Sequence, residues 1–307
     1  MSSWYAVAVL RRAYAETSDL LRPVTPAVWA RLALLALFAG GASVRPPGVG
    51  LGSVPLNVAS APSLHPAFDT PRTLAFLATA AVLVVLLGVL ASACEFALVT
   101  FVEERGTPIL PAVGRALGPG LRLFGFRLVL GAVVVVPLVA LLTGVIGAAS
   151  AGSITGLLVA LVFVPVVGGL VLAVLLVSAL TSSFVVPLMH REGYGVLEGW
   201  RALQPALVAD AEQVAVYVLV RVCLGIAYAV AASVVVGAFV LPFAAAYGLT
   251  VVGGQAGFLA GVAALLVAAV GSVVFLVCVR GPATAYLRYH SLLVLDATNA
   301  PYAFREE

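Results

Sequence analysis

Apolar residues in this chain come in long unbroken runs, and charge is confined to the gaps between them. The first run, Pro26–Val44, is marginal for a membrane span and carries Arg31 near its start. The second, Thr73–Val102, encloses one carboxylate, Glu95. No charged residue occurs from Leu128 to Met189, nor from Val222 to Val279. A hydrocarbon core about 30 Å thick takes about 20 apolar residues as helix, so each long stretch holds two generous helices or three short ones. Turn residues divide each stretch once, at Gly147–Ser153 and at Tyr247–Gly254.

The arginines choose between these counts. Segments on the cytoplasmic side of a membrane carry an excess of basic residues. With two helices per long stretch the chain has six spans, and 14 of its arginines fall on one side. The other side keeps only Arg45 and Arg72. Three helices per stretch would put the Arg105–Arg122 and Arg191–Arg201 clusters on opposite faces. The sequence therefore predicts an all-α, polytopic membrane protein of about six transmembrane helices, one domain over 1–307, with both termini cytoplasmic in the cell membrane. Cytoplasmic segments are expected over 1–25, 103–125, 190–213 and 280–307. Residues 45–72, rich in Pro, Gly and Ser, are expected as an extracytoplasmic loop.

Composition agrees and excludes other classes. Of 307 residues, 63% are hydrophobic and 9% charged, and the mean hydropathy is +1.18; soluble domains run near 45–50% apolar and about 25% charged. The net charge of +3 is too small and spread out for a nucleic-acid footprint, so no nucleic-acid partner is expected. All 16 basic residues are arginine. Cys94, Cys223 and Cys278 lie in apolar runs without a CxxC or Cys/His cluster, which argues against a metal site or a disulfide framework.

The N-terminal segment is patterned. At helical spacing Val9, Leu10, Ala13, Tyr14, Leu20 and Leu21 share one face, opposite Arg11, Arg12, Glu16 and Asp19. That is an amphipathic interfacial helix, weighed against a long-leader signal sequence. Two cytoplasmic segments also echo each other. Gly106–Leu117 and Gly193–Leu203 both run G-x-x-[IV]-L and then R-A-L. The spans that follow open alike, Arg127-Leu-Val-Leu-Gly131 and Arg221-Val-Cys-Leu-Gly225, with a looser match at Arg31–Leu35. This suggests a repeated unit of span, glycine turn, interfacial helix, arginine and span, in parallel orientation.

Candidate chemistry is sparse. Glu95 is the one acidic residue inside a predicted span, and ionisable groups there are costly and often functional. Arg127 and Arg221 enter neighbouring spans from the same side at similar depth. Glu95, Arg127 and Arg221 thus form a candidate intramembrane polar site, either an ion, proton or head-group site or a structural ion pair with snorkelling arginines. His190 and His290 lack a second ligand at i+3 or i+4. No Walker loop, G-x-S-x-G or H-E-x-x-H is present, and Thr181-Ser-Ser183 has no obvious base. No cofactor, metal or enzymatic activity is expected. Gly253, Gly257 and Gly261 make a small-residue face for an internal contact or a homo-oligomer seam. Arg105, Arg115, Arg122, Arg191 and Arg201 form a basic rim suited to anionic lipid head groups.

Four segments carry a resemblance: Ser3–Val7, Leu121–Gly131, Phe184–Arg201 and Tyr286–Leu295. Through them the chain resembles a family of uncharacterised multi-pass membrane proteins from halophilic archaea. More distantly, the Val-Pro…Glu-Gly…Trp-Arg segment is similar to the non-catalytic membrane domain attached to some glycerophosphodiester phosphodiesterases. The resemblance implies fold and location but no reaction. The leading expectation is a non-enzymatic membrane scaffold or a lipid- or partner-interacting protein. The alternative is a small-solute or ion transporter using the Glu/Arg site.

Overall fold

The computed structural model describes residues 4–22, 25–39, 71–105, 108–150, 152–252 and 254–297. Among them every regular element is helical. In chain order these are α1 (Tyr5–Ala8), α2 (Leu10–Leu21), α3 (Pro26–Phe38), α4 (Pro71–Glu103), α5 (Ile109–Ser150), α6 (Ile154–Leu180), α7 (Val186–Glu192), α8 (Val196–Ala209), α9 (Ala211–Val252), α10 (Gly254–Phe275) and α11 (Gly281–Ala297). Two π turns, Thr181–Val185 and Leu276–Arg280, join α6 to α7 and α10 to α11.

Five helical stretches are long and apolar enough to cross a membrane: Leu74–Glu103, Ile109–Ala148, Leu161–Glu192, Ala211–Val235 and Gly257–Ala297. The protein is thus a polytopic all-α membrane protein. The first expected span is different. Its described helix, Pro26–Phe38, has 13 residues, about 20 Å of rise, against a core of about 30 Å. The loop expected over 45–72 lies outside the described residues up to Pro71, where α4 begins. The turn expected at Gly147–Ser153 is present. Gly152 has φ +62°, and the Ser153 hydroxyl caps α6 by accepting from Gly156 N at 3.2 Å.

The two echoing segments fold differently. Gly193, at φ +71°, takes the left-handed conformation that ends a helix. The chain then restarts as α8, with Glu198 Oε2 accepting from Gly195 N at 2.7 Å. In the other copy the span ends at Glu103 and Arg105 takes a positive φ of +49°, but nothing like the break at Asp210 follows. The expected interfacial segment over 103–125 becomes, from Ile109, the opening turns of α5, a single helix of 42 residues. Ala112, Ala116 and Leu123 are buried along it, and Gly120 touches α4 so closely that an added Cβ would sit 2.9 Å from the Ala93 backbone. The echo extends elsewhere. Both later return spans pass through a π turn, and Pro187 and Pro282 each occupy the second position beyond it.

Burial is concentrated at one end of the bundle. Ser92–Val102 of α4, Thr181–Met189 and most of α11 are buried there, while Leu74–Leu87 of α4 and the outer faces of α5, α6 and α9 are exposed. Apolar surface on that scale is stable against lipid tails and not against water. The segment expected as a tail over 280–307 is, across Gly281–Ala297, a helix at the centre of this base. Leu287 through Leu295 are all buried. The expected tail reading fails because Arg288 and His290 find partners inside the protein. Tyr289 Oη donates to Val102 O at 3.1 Å, and His290 Nε2 meets Ala6 O at 2.9 Å. α2 packs on α11 through Ala13, Thr17 and Leu20, while Tyr14 points outward. The described N-terminal helices and α11 therefore meet at the same end of the molecule.

Candidate functional site

Glu95 sits two turns before the end of α4, 2% exposed. An isolated carboxylate at that depth would be costly, so its partners decide its state. Arg127, in the fifth turn of α5, donates from Nη2 to Glu95 Oε2 at 2.7 Å and to Ser182 Oγ at 2.8 Å. The pair that the sequence predicts is thus formed and closed by a third side chain. Ser182 is available because the π turn shifts the register of the helix. Such turns recur at functional positions. Its neighbour Thr181 accepts from Trp200 Nε1 at 3.1 Å, which docks α8 against the same turn.

Arg221 has a different role from the one expected. It donates from Nη1 to Leu287 O at 2.8 Å and joins the site through α11. The residue that links everything is Arg288, which the sequence reading placed in a tail. It is 7% exposed and donates to Ser182 O. It stands near enough to interact electrostatically with Glu95, Arg221, Tyr217 and Arg127. Ser182 therefore receives Arg127 on its hydroxyl and Arg288 on its carbonyl. Tyr217, one helical turn before Arg221, stacks on the His290 ring with centroids 5.7 Å apart and planes 9° from parallel. The sequence does not point to Arg288 or Tyr217 here, and it offers Ser182 and His290 only as a nucleophile without a base and a ligand without a partner. The available signal was the arginine and histidine inside Tyr286–Leu295, a segment otherwise apolar enough to be buried.

Nearer the end of the bundle a second charged layer forms. Glu103 pairs with Arg191 at 3.2 Å and lies 3.6 Å from His190. Glu16 pairs with the more exposed Arg105 at 3.0 Å. Eight residues separate Glu95 from Glu103, about 12 Å along the helix, so the inner cluster lies that far below this rim. Among the described residues no group of three His, Cys, Asp or Glu could hold a metal. Cys94 is buried, while Cys223 and Cys278 face outward, all three as free thiols.

Residues 4–305 match a family of unknown function, DUF7544. The chain belongs to this family. The match covers every helix described above, so the inner cluster and the rim both lie within the DUF7544 region. No curated protein and no solved structure matches the chain.

Among its residues the arrangement gathers three guanidiniums on one carboxylate, on a hydroxyl and on two backbone carbonyls. It can fix the base of the bundle and can hold negative charge. Of the small-residue face, Gly257 is buried within the chain, and Gly253 lies outside the described residues.

Proposed function

We propose that this protein is a non-enzymatic integral membrane protein that works by engaging anionic lipid at the base of its bundle. The observation that carries this reading is the distribution of arginine. Arg11, Arg12, Arg22, Arg105, Arg115, Arg122 and Arg201 are exposed around one end, while Glu95 is closed inside by packed partners. Each basic residue near an anionic surface contributes about 1 kcal/mol of attraction. A non-enzymatic role fits the state of the obvious nucleophile and base: the Ser182 hydroxyl is engaged by Arg127 and His290 Nε2 by a backbone carbonyl. The resemblance to membrane proteins of halophilic archaea, and more distantly to the phosphodiesterase-linked membrane domain, belongs to this proposal. So does a cell-membrane location with cytoplasmic termini.

The test uses the full chain in nanodiscs of mixed anionic and zwitterionic lipid. Anionic lipid is expected to be enriched around the wild type and depleted around the Arg115→Gln/Arg122→Gln/Arg201→Gln variant. Equal enrichment around both would sink the reading. Small-solute or ion transport is the second reading, favoured by the π turn that opens beside the Glu95–Arg127 pair. It requires flux in proteoliposomes that Glu95→Gln abolishes.

A further inference from the structure

The inner cluster carries more positive charge than it neutralises. Arg288 interacts electrostatically with the Glu95 carboxylate and with the Arg127 and Arg221 guanidiniums, so three guanidiniums stand together with one carboxylate. Buried charges are stable when each is paired and hydrogen-bonded. Arg127 meets this condition fully through Glu95 and Ser182, whereas Arg221 and Arg288 are held by neutral carbonyls.

Hydrogen-bonding capacity is left over in the same place. Arg221 Nε, Tyr217 Oη and His290 Nδ1 are buried without a hydrogen-bond partner. Tyr217 is 2% exposed and His290 is fully buried. Arg221 lies one turn from Tyr217 on α9, and Tyr217 stacks on the His290 ring, so the three side chains belong to one locus. Two of them donate. Because His290 Nε2 faces a carbonyl, it carries the ring proton in the neutral form, and Nδ1 is left to accept. Buried polar groups in folded proteins are satisfied in the great majority of cases. Donors with excess positive charge beside one acceptor suit an oxyanion that still carries a hydroxyl.

We propose that Arg127, Arg221, Arg288 and the Tyr217 hydroxyl form a buried binding site for a phosphate group. Guanidinium forks match phosphate oxygens better than any other side chain does. His290 Nδ1 accepts from the hydroxyl of a singly ionised phosphate. The cavity beside Tyr217 is about 30 Å³, the room of one water, and none of the three arginines lines it, so the ligand makes its room among the arginines by moving side chains. Asp210 and Gln213 line that cavity, and the acid repels an anion there. Entry is instead past Arg127, whose side chain is 21% exposed, and past the half-buried Arg221. The site deepens the lipid-engaging reading but does not share residues with the exposed rim.

The full chain in maltoside micelles supplies a phosphate-free background. Phosphatidic acid is titrated in, with a fatty acid of equal chain length as the charge control and inorganic phosphate as the soluble probe. The readout is the thermal midpoint. A saturable rise with phosphatidic acid, absent with the fatty acid, is expected. Arg221→Gln weakens the apparent affinity about tenfold or more, since hydrogen bonds to charged groups are the strong ones. Tyr217→Phe, which keeps the stacked ring, weakens it severalfold, and Arg221→Lys restores part of the loss. A saturable response to inorganic phosphate alone assigns the site to a soluble phosphate; a response to the lipid alone assigns it to a head group. The rim variant keeps the saturable response while losing nanodisc enrichment, so the two proposals fail separately. No saturable response to either phosphate probe, or a response unchanged in both Arg221→Gln and Tyr217→Phe, overturns the site.

Discussion

At the scale of single residues the structure turns on how buried charge is matched. Arg127 is the partner that keeps Glu95 compatible with the interior. Arg127→Ala would leave a carboxylate 2% exposed without its guanidinium. Removing one member of a buried pair costs about 3–5 kcal/mol, and a drop of that size is expected in denaturant titrations of the detergent-solubilised protein. Glu95→Gln should cost less, because the amide oxygen still accepts from Arg127. Steric contacts give a sharper contrast. A Cβ at Gly120 meets the Ala93 backbone at 2.9 Å, while one at Gly131 meets nothing within 4 Å. Gly120→Ala should therefore destabilise by about 1–3 kcal/mol. Gly131→Ala should be neutral or slightly stabilising, because alanine is the better helix former. The thermal midpoints of the two variants, measured side by side, check this.

At the scale of elements the legible and the illegible parts separate for physical reasons. Hydrophobic runs longer than about 20 residues predict spans reliably, because a bilayer imposes a length, and the α5–α6 turn was visible in its Gly and Ser residues. The Glu95–Arg127 pair was visible because an intramembrane carboxylate needs a cation. Two things were not visible. Nothing in Gly106–Leu117 says whether a helix will stop before the next span. α8 stops at Asp210, whose backbone leaves the helical region at φ −120° and ψ +45°, whereas Ile109 onward simply continues. α11 was misread because Arg288 and His290 look like interfacial residues to any rule based on charge alone. Their burial depends on carbonyls from Ser182 and Ala6, which lie far away in sequence. The docking of α8 is a testable element-level feature. Trp200→Phe removes the bond to Thr181 and should cost about 1 kcal/mol. Gly193→Ala should cost a similar amount by straining the turn. Thermal unfolding monitored by helical circular dichroism reads both.

At the scale of the molecule the fold has an unequal distribution of order. The base holds the buried clusters, and the far halves of the helices rely on lipid for their partners. Amide exchange of the protein in nanodiscs should follow this division. Amides of Leu287–Leu295 should exchange slowest, together with those of Ser92–Val102. Those of α2, which packs through a narrow stripe, should exchange faster by an order of magnitude or more. Equal protection of α2 and α11 would contradict the placement of α11 at the centre.

The position of α11 has a consequence for biogenesis. Its partners in α1, α4 and the Thr181–Val185 turn all leave the ribosome before it does. Until α11 arrives, Ser182 O, Val102 O and Ala6 O wait without their donors, and Glu95 has Arg127 but not Arg288. The nascent protein therefore spends most of its synthesis as inserted hairpins around a vacant socket. The last of the helices described here acts as the keystone. Premature termination before Gly281 should release a membrane-inserted but open assembly, the kind of substrate that membrane proteases and chaperones remove.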